Sequence, residues 1–211
     1  MDLEKTIKTR ISIRNYLKKP IKKNIINKLI QNGINAPSAC NLKKWKFIII
    51  DNKKMLKKLV RMGAQPTIQN IPIGILVIYP NITLSRGYRD DIQSASAAIQ
   101  NIILSAHSLN LGACWICTLP PKKDLRNLFK IPKNYNPIAL ISLGYYKKNK
   151  KIIEKNKDIS NFISYNTFKY KNYEKKRFYK NYKIKRIIRK IYYNLPLFFR
   201  IKIKKYIENK K

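Results

Sequence analysis

The stretch Asp90–Cys117, DDIQSASAAIQNIILSAHSLNLGACWIC, decides the fold because a long helix pattern is followed directly by a strand pattern. Apolar residues recur at intervals of three and four, which is the period of one helix face. The stripe consists of Ile92, Ala95, Ile99, Ile102, Ile103, Ala106 and Leu109. The small residues between these positions allow a second helix to pack closely. The sequence therefore predicts a helix over residues 90–109, a helix packed against it, and a strand at GACWIC.

Strand and helix patterns alternate on both sides of this stretch. The predicted helices cover Asn24–Asn32 (with Gly33 as a stop signal), Asn52–Met62 and Lys122–Phe129, and the predicted strands cover Lys46–Asp51, the run between Pro72 and Pro80, and Pro137–Tyr146. This alternation is typical of a mixed α/β sheet that is packed by helices.

Cys114 and Cys117 form a Cys-x-x-Cys pair, for which a metal clamp, a redox switch and an ordinary core strand are the three interpretations. Residues three apart on a strand point to opposite faces, which disfavours both a disulfide and shared metal ligation. A four-ligand zinc site would also need Cys40 and His107 to converge, at no recognised spacing. We therefore predict no metal site. We expect a structural role for His107, the only histidine, near the C-terminal end of its helix.

The segment TRISIRNY (Thr9–Tyr16) alternates strictly between polar and apolar residues. In an extended chain, Arg10, Ser12 and Arg14 would share one face, with the isoleucines on the other. Two guanidinium groups and a hydroxyl suit a phosphate, through charge-assisted hydrogen bonds. An edge strand with solvated basic residues is the alternative interpretation.

The segment NAPSACNLKKW (Asn35–Trp45) reads as a polar turn between a helix and a strand. Ser38 and Asn41 offer hydrogen-bond donors and acceptors that could meet the edge of a heteroaromatic ring, although an ordinary connection has the same composition. No Gly-x-Gly-x-x-Gly or Walker-type loop is present, which argues against a Rossmann or P-loop nucleotide site.

The charge of the chain is extreme, at a formal +37 over 211 residues. Residues 147–211 carry 23 Lys and Arg against 4 acidic residues, so the C-terminal part is the most basic. Such charge attracts nucleic acid, anionic lipid or phosphorylated ligands, but over-use of lysine throughout the chain explains the charge of the body equally well. The sequence shows no signal peptide and no apolar run of membrane-spanning length. Together with three cysteines, this predicts a cytoplasmic protein.

Taken together, five segments in this order resemble the nitroreductase family of flavoproteins, over roughly residues 4–165. They are Arg10-x-Ser12-x-Arg14, APSACNLKKW, QPTIQNIPIGILVIY, SAAIQNIILSAHSLNLGACWIC and IPKNYNPIALISLGYY. The resemblance implies an α+β, three-layer fold with a central mixed sheet flanked by helices. It also implies a homodimer with FMN at the subunit interface, NADH or NADPH as the electron donor, and a small-molecule acceptor.

The resemblance further implies which residues bind FMN. By position, the expected contacts are Arg10, Ser12 and Arg14 to the phosphate and flavin edge, Ser38 and Asn41 to the isoalloxazine ring, Cys117 and Thr118 on a strand beside the flavin, and Lys155 and Lys157 to the phosphate. Lys43 and Lys44 stand where the family has Gln-Pro, so Lys43 adds a cation near the expected flavin. The flavin carries the chemistry in this family, so no catalytic acid or base is expected in the chain.

The family pattern ends near Tyr165, and residues 166–211 are predicted to be a basic, aromatic-rich extension. Within it, one helical face is formed by Ile187, Ile188, Ile191, Tyr192 and Leu195, before Pro196 interrupts. Three roles fit this pattern. The extension could wrap around a partner subunit, or lie on an anionic membrane surface, which would make the protein peripheral at the inner face of the membrane. Nucleic-acid binding is the least favoured.

The leading functional hypothesis is an FMN-dependent oxidoreductase that passes electrons from NAD(P)H to a nitroaromatic- or quinone-like acceptor in ping-pong order. Relatives of similar fold perform reductive dehalogenation or fragment the flavin, but the link NITLSRGYRDD is short, which counts against both. A third hypothesis is a non-enzymatic, degenerate member that is tethered to a membrane or polyanion by its basic tail.

Overall fold

The long helix predicted from the apolar stripe is the longest helix of the computed structural model, which describes residues 2–83, 87–147, 159–167, 187–188, 191–196, 198–200 and 202–203. The helices are α1 (Leu3–Thr9), α2 (Lys23–Ile34), α3 (Lys53–Arg61), α4 (Asp90–Ser108) and α5 (Lys122–Phe129). The strands are β1 (Lys46–Ile50), β2 (Ile73–Pro80), β3 (Gly112–Ile116) and β4 (Tyr135–Gly144). Short 3-10 helices cover Ala39–Asn41, Pro66–Asn70 and Ile159–Phe162.

The four strands form one sheet in the order β1-β2-β4-β3, and every neighbouring pair is antiparallel. The expected mixed character is confined, among the described residues, to an isolated parallel bridge between Ser12 and Ala113. The reason is that β2 and β3, which α4 connects, do point in the same direction, but β4 lies between them. The α+β class is therefore correct, and the alternation of helix and strand does not produce a parallel ladder.

Helices cover both faces of this sheet, which gives the expected three layers. On one face, Ile75, Val77 and Ile141 pack with Ile99 and Ile102 of α4 in a core that α2 also enters. On the other face, side chains of α3 and α5 complete a second core; its buried members include Leu56, Leu59, Leu76, Ile78, Leu125 and Leu140. Strand β2 is buried along its whole length because it lies inside the sheet and is covered on both sides.

Gly33 does not end α2, contrary to the expectation from its sequence. The helix continues to Ile34, and Gly33 is buried within it. A Cβ atom on Gly33 would lie 2.7 Å from Ile102 Cγ1 of α4, so glycine here permits the close approach of the two helices. The tertiary contact, and not the local conformational freedom of glycine, explains this residue.

The described part of the C-terminal region contacts the body of its own chain. Residues 187–188, 191–194, 198–200 and 202–203 are helical, and Leu195 and Pro196 interrupt them, as expected for the proline. The Arg200 guanidinium donates a hydrogen bond to Asp124 Oδ2 of α5 at 2.6 Å, and the Tyr193 hydroxyl donates to the Leu119 carbonyl at 3.5 Å. Among the helices that the structure describes, none has the length and apolarity needed to cross a membrane.

Candidate functional site

The segment that contains Arg10, Ser12 and Arg14 lies along the outer edge of β3. Ser12 bridges Ala113, and the Ile13 amide donates to the Ala113 carbonyl at 3.0 Å. Gly112 makes this approach possible, because a Cβ atom there would lie only 2.7 Å from Ile13 Cγ2. The backbone of the segment is therefore fixed by the sheet, which leaves its polar side chains available.

Tyr16 anchors the return of this segment to the sheet. Its hydroxyl donates to the Ile13 carbonyl at 2.5 Å and lies 2.6 Å from Ser142 Oγ of β4. The Tyr16 ring packs against Gly144, where a Cβ atom would lie 2.6 Å from the ring. Burial raises the pKa of the Tyr16 hydroxyl well above its ordinary value, so it stays protonated and continues to donate.

The side chains of the segment are accessible to solvent. Ser12 and Arg14 are exposed, Arg10 is half-buried, and Ile11 and Ile13 are half-buried between them. Neither arginine forms an ion pair with any residue in the part of the chain that the structure describes. Two guanidinium groups without an ion pair among the described residues and a hydroxyl, each two positions apart beside the edge of β3, are residue types suited to an anion.

The turn predicted from NAPSACNLKKW is held by the first half of α4. The Ala39 amide donates to Ser94 Oγ at 3.0 Å, and the Trp45 indole donates to the Ser94 carbonyl at 2.9 Å. Within the turn, Ser38 Oγ accepts a hydrogen bond from the Lys43 amide at 2.9 Å. Ser94 therefore positions both the turn and the tryptophan that closes it.

Three residues of this turn have left-handed backbone conformations. The φ angles of Cys40, Asn41 and Lys43 are 48°, 53° and 47°. Each such conformation costs a non-glycine residue on the order of 1–2 kcal/mol. The contacts of Ser94 and Ser38 offset this cost, and the side chains of Asn41 and Lys43 are presented to solvent. A strained and exposed polar turn is a candidate for ligand binding.

The two polar segments lie at opposite ends of α4. Thr9, next to Arg10, has its Oγ1 atom 2.9 Å from Nε2 of the buried His107, near the C-terminal end of the helix. The turn contacts Ser94, near the N-terminal end. His107 is thirteen positions after Ser94, which is about 20 Å along a helix axis. His107 thus has a structural contact, and one subunit does not bring the two polar segments together.

The cysteine pair does not lie on one strand, so the prediction from alternation does not apply to it. Strand β3 ends at Ile116; Cys114 is buried in the second core, while Cys117 is exposed beyond the strand end. Nearby protein atoms reduce the solvation of the Cys117 thiolate and raise the pKa of this thiol, which therefore stays protonated at neutral pH. The next residue, Thr118, accepts a hydrogen bond from the Gln65 amide at 3.2 Å.

Lys155 and Lys157, the expected late phosphate contacts, lie outside the described residues. Sequence reasoning missed three residues that position the candidate site, namely Tyr16, Gly112 and Ser94. The role of Gly112 could have been predicted from the sequence, because glycine inside a strand often marks a close approach of another backbone. The need of Trp45 for a hydrogen-bond partner could also have been predicted, because a buried indole requires a hydrogen-bond acceptor.

The model of the nitroreductase family matches residues 7–70 and 60–145, which include both polar segments and all four strands. The chain belongs to the nitroreductase family. A Methanothermobacter thermautotrophicus protein with the provisional name NADH dehydrogenase/NAD(P)H nitroreductase is 36% identical over 155 residues, which are 71% of this chain and 80% of that protein. A Thermus thermophilus NADH dehydrogenase is 26% identical over 69% of this chain and 87% of its own length.

Solved structures of the nitroreductase family share this fold. An FMN-dependent nitroreductase from Clostridium difficile R20291 superposes with a TM-score of 0.66 and 30% identity, over 77% of this chain and 98% of the other. A nitroreductase family protein from Clostridium difficile 630 has a TM-score of 0.66 and 25% identity, over 80% of this chain and 100% of the other. The nitroreductase-like core thus accounts for about four fifths of the chain.

Proposed function

We propose that this nitroreductase family member is an FMN-dependent oxidoreductase that takes electrons from NADH or NADPH and passes them to a small nitroaromatic- or quinone-like acceptor in ping-pong order. The observation that carries the proposal is the surface formed by Arg10, Ser12 and Arg14. It combines two guanidinium groups that have no ion pair among the described residues with a backbone fixed on β3. The names of the relatives, which refer to FMN, NADH and NAD(P)H, support the same activity.

The chemistry of these residues fits FMN. Guanidinium groups bind phosphate through charge-assisted and often bidentate hydrogen bonds, which suits Arg10 and Arg14 to the FMN phosphate and the polar flavin edge. The Ser12 hydroxyl adds one donor and acceptor, and the exposed Asn41 amide can donate to and accept from a heteroaromatic ring edge. In its bond with the Lys43 amide the Ser38 oxygen is the acceptor, so the hydroxyl hydrogen of Ser38 can still be donated to a ligand. When bound, FMN would supply the redox chemistry, and the protein binds and orients it.

A second copy of the chain is part of this proposal. Because the arginine segment and the Asn41 turn contact opposite ends of α4, about 20 Å apart, one flavin edge would meet both most simply at an interface between two subunits. In a homodimer with two-fold symmetry, two such sites form at once, each from the arginines of one subunit and the turn of the other. We therefore propose a homodimer whose cofactor sites are shared.

The remaining predicted contacts extend this site. Lys43 lies on the same turn as Asn41 and is exposed, so it would place a cation beside the flavin. Cys117 and Thr118 come directly after β3, the strand whose Ala113 pairs with Ser12, and would approach the ring from that side. Lys155 and Lys157 remain predicted phosphate contacts.

The first experiment is to purify the protein, denature it, and identify any released chromophore by chromatography. We expect about one FMN per subunit. Steady-state rates should then be measured with NADH or NADPH against nitroaromatic, quinone and halogenated acceptors, and ping-pong order predicts parallel double-reciprocal plots. Failure to release flavin, combined with failure to bind added FMN, would contradict the proposal. Halide release from a halogenated acceptor at the highest rate would replace the proposed reaction with dehalogenation.

A further inference from the structure

The described C-terminal residues contact the rest of the domain through one side of their helical pieces. The buried Arg200 donates to Asp124 Oδ2 at 2.6 Å and to the Leu195 carbonyl at 3.0 Å. Tyr193 reaches the Leu119 carbonyl, and its ring lies 3.5 Å from where a Cβ atom on Gly63 would stand. The Tyr192 hydroxyl donates to the Arg200 carbonyl at 3.2 Å, which links the two helical pieces to each other. This region therefore has a defined inner side against α5 and Gly63.

The other side of the region carries large apolar side chains. We name as the tail patch Ile187, Ile188, Ile191, Phe198 and Phe199, each between 53% and 61% exposed. Ile191 precedes the docked Tyr193 by two positions, and Phe198 precedes the buried Arg200 by two positions. Two positions are about 200° around a helix axis, so Ile191 and Phe198 both point away from the domain. The tail patch is therefore the outer side of the docked region.

Exposure of this kind is typical of an interaction surface. Five large apolar residues within thirteen positions form a concentration that water-exposed surfaces of monomeric proteins rarely carry, and such patches mark interaction sites. The sequence alone suggested that Tyr192 and Leu195 share the face of the three isoleucines. In the structure, Tyr192 and Leu195 are half-buried while the isoleucines remain outside.

The sequence on both sides of the tail patch is basic. Residues 166–211 contain 17 Lys and Arg against 2 Glu, and residues 187–203 contain no acidic residue. Lys202 Nζ lies 4.4 Å from the centre of the Phe198 ring. Exposed apolar side chains in a segment whose charged residues are all cationic fit a surface that is apolar within and anionic outside.

We propose that the tail patch docks on the surface of an anionic lipid bilayer, with its isoleucine and phenylalanine side chains in the interface and the surrounding lysines at the headgroups. Contact between this patch and the same patch of a second copy would bring two strongly basic segments together, since residues 166–211 carry 17 Lys and Arg against 2 Glu. Nucleic acid would stack on the aromatic rings and bind the cations through its phosphates, but it has no comparable contact for the three isoleucine side chains. The proposal does not rest on the flavin chemistry proposed above.

The test is co-sedimentation of the full-length protein with vesicles of phosphatidylcholine, with and without phosphatidylglycerol. We expect binding at least about tenfold tighter to the anionic vesicles. The double variant Ile191→Asp, Phe198→Asp should lose about tenfold or more of this affinity. The matched control is Leu3→Asp, Tyr88→Asp, which makes the same charge change at two exposed apolar residues far from the patch in sequence, and should stay within about twofold.

Insertion is measured separately from charge attraction. The unmodified protein contains Trp45 and Trp115, so its own quenching is the baseline. In the variant Phe198→Trp, brominated lipids in anionic vesicles should quench the tryptophan fluorescence beyond this baseline. In Leu3→Trp the quenching should not exceed it. Equal loss of binding in both Asp variants would overturn the proposal, because general charge attraction would then suffice. Unchanged vesicle binding in the tail variant would also overturn the proposal. A lower sedimentation mass of that variant would then assign the patch to a second copy of the chain, and weaker binding of duplex DNA would assign it to nucleic acid.

Discussion

The two polar segments of the candidate site are built in opposite ways. The segment with Arg10 and Arg14 is held by backbone pairing to β3, and its side chains are free to provide charge. The turn with Asn41 is held by a side chain of α4, Ser94, and its own backbone adopts three left-handed conformations. The first segment is therefore suited to attract an anion, and the second to present hydrogen-bonding groups in a fixed shape. A ligand that needs both is the simplest reason for the chain to maintain both.

The largest expected effect concerns FMN binding. It should be lost when either polar segment is mutated, and partly recovered when the two variants are combined in one dimer. Arg10→Ala, Arg14→Ala should weaken FMN binding by about 100-fold or more, since each removes charged hydrogen bonds worth about 1.5–3 kcal/mol. Asn41→Ala should also weaken it. Unfolding and refolding the two variants together should restore about one quarter of the wild-type sites, because half the dimers would be mixed and each would hold one intact site.

The matched control for the arginine variant is Lys57→Ala, Lys58→Ala, which removes the same charge from the exposed surface of α3. FMN affinity in this control should stay close to that of the wild type. No recovery of FMN binding in the mixture, measured by flavin fluorescence, would mean that both segments serve the same subunit or separate sites.

The contact that fixes the arginine segment on the sheet is expected to be sensitive to one methyl group. Gly112→Ala would place a Cβ atom 2.7 Å from Ile13 Cγ2 and 2.9 Å from the Tyr146 ring, which should cost about 1–3 kcal/mol and displace the segment from β3. Urea unfolding and FMN titration should both show the loss. Gly87→Ala is the control, since among the described residues no atom beyond its chain neighbours lies within 4 Å of its added Cβ, and it should leave both measurements unchanged.

One hydroxyl of α4, that of Ser94, bonds directly to the backbone of the turn. Ser94→Ala would leave the Ala39 amide without its acceptor, which should lower the free energy of unfolding by about 1–2 kcal/mol and reduce FMN affinity through the displaced Asn41. Ser108→Ala makes the same chemical change on the same helix, where the hydroxyl bonds only to the Ser105 carbonyl, and should cost less than about 0.5 kcal/mol. Equal losses in the two variants would argue that Ser94 does not position the turn.

The smallest expected effect concerns the stability of the protein at alkaline pH. Burial raises the pKa of Tyr16 in the folded state above its ordinary value of 10.0, so the unfolded chain releases this proton first. The free energy of unfolding should therefore decrease as the pH rises above 10, and less steeply in Tyr16→Phe than in the wild type. Tyr88→Phe, at an exposed position, is the control. Identical slopes for wild type and Tyr16→Phe would remove Tyr16 as the anchor of the segment.

Much of the molecule could be predicted from local pattern. The apolar stripe from Ile92 gave α4 within one residue at its C-terminal end, and the apolar runs gave β1 and β2. These predictions succeed because the spacing of apolar residues reports which face of an element is buried. The same reasoning failed at Gly33 and at Cys117, because a helix contact with Ile102 and the end of β3 at Ile116 are not encoded in the spacing.

The sequence by itself determined the kinds of elements, the family, the polar character of the two segments and the excess of positive charge. Only the tertiary structure decided that β4 lies between β2 and β3, that Ser12 sits beside Ala113, and that the two segments occupy opposite ends of α4. It also decided that Tyr193 and Arg200 face the domain while Ile191 and Phe198 face outward. The physical reason is that periodicity encodes burial along one element, whereas the pairing of elements depends on contacts between residues far apart in the chain.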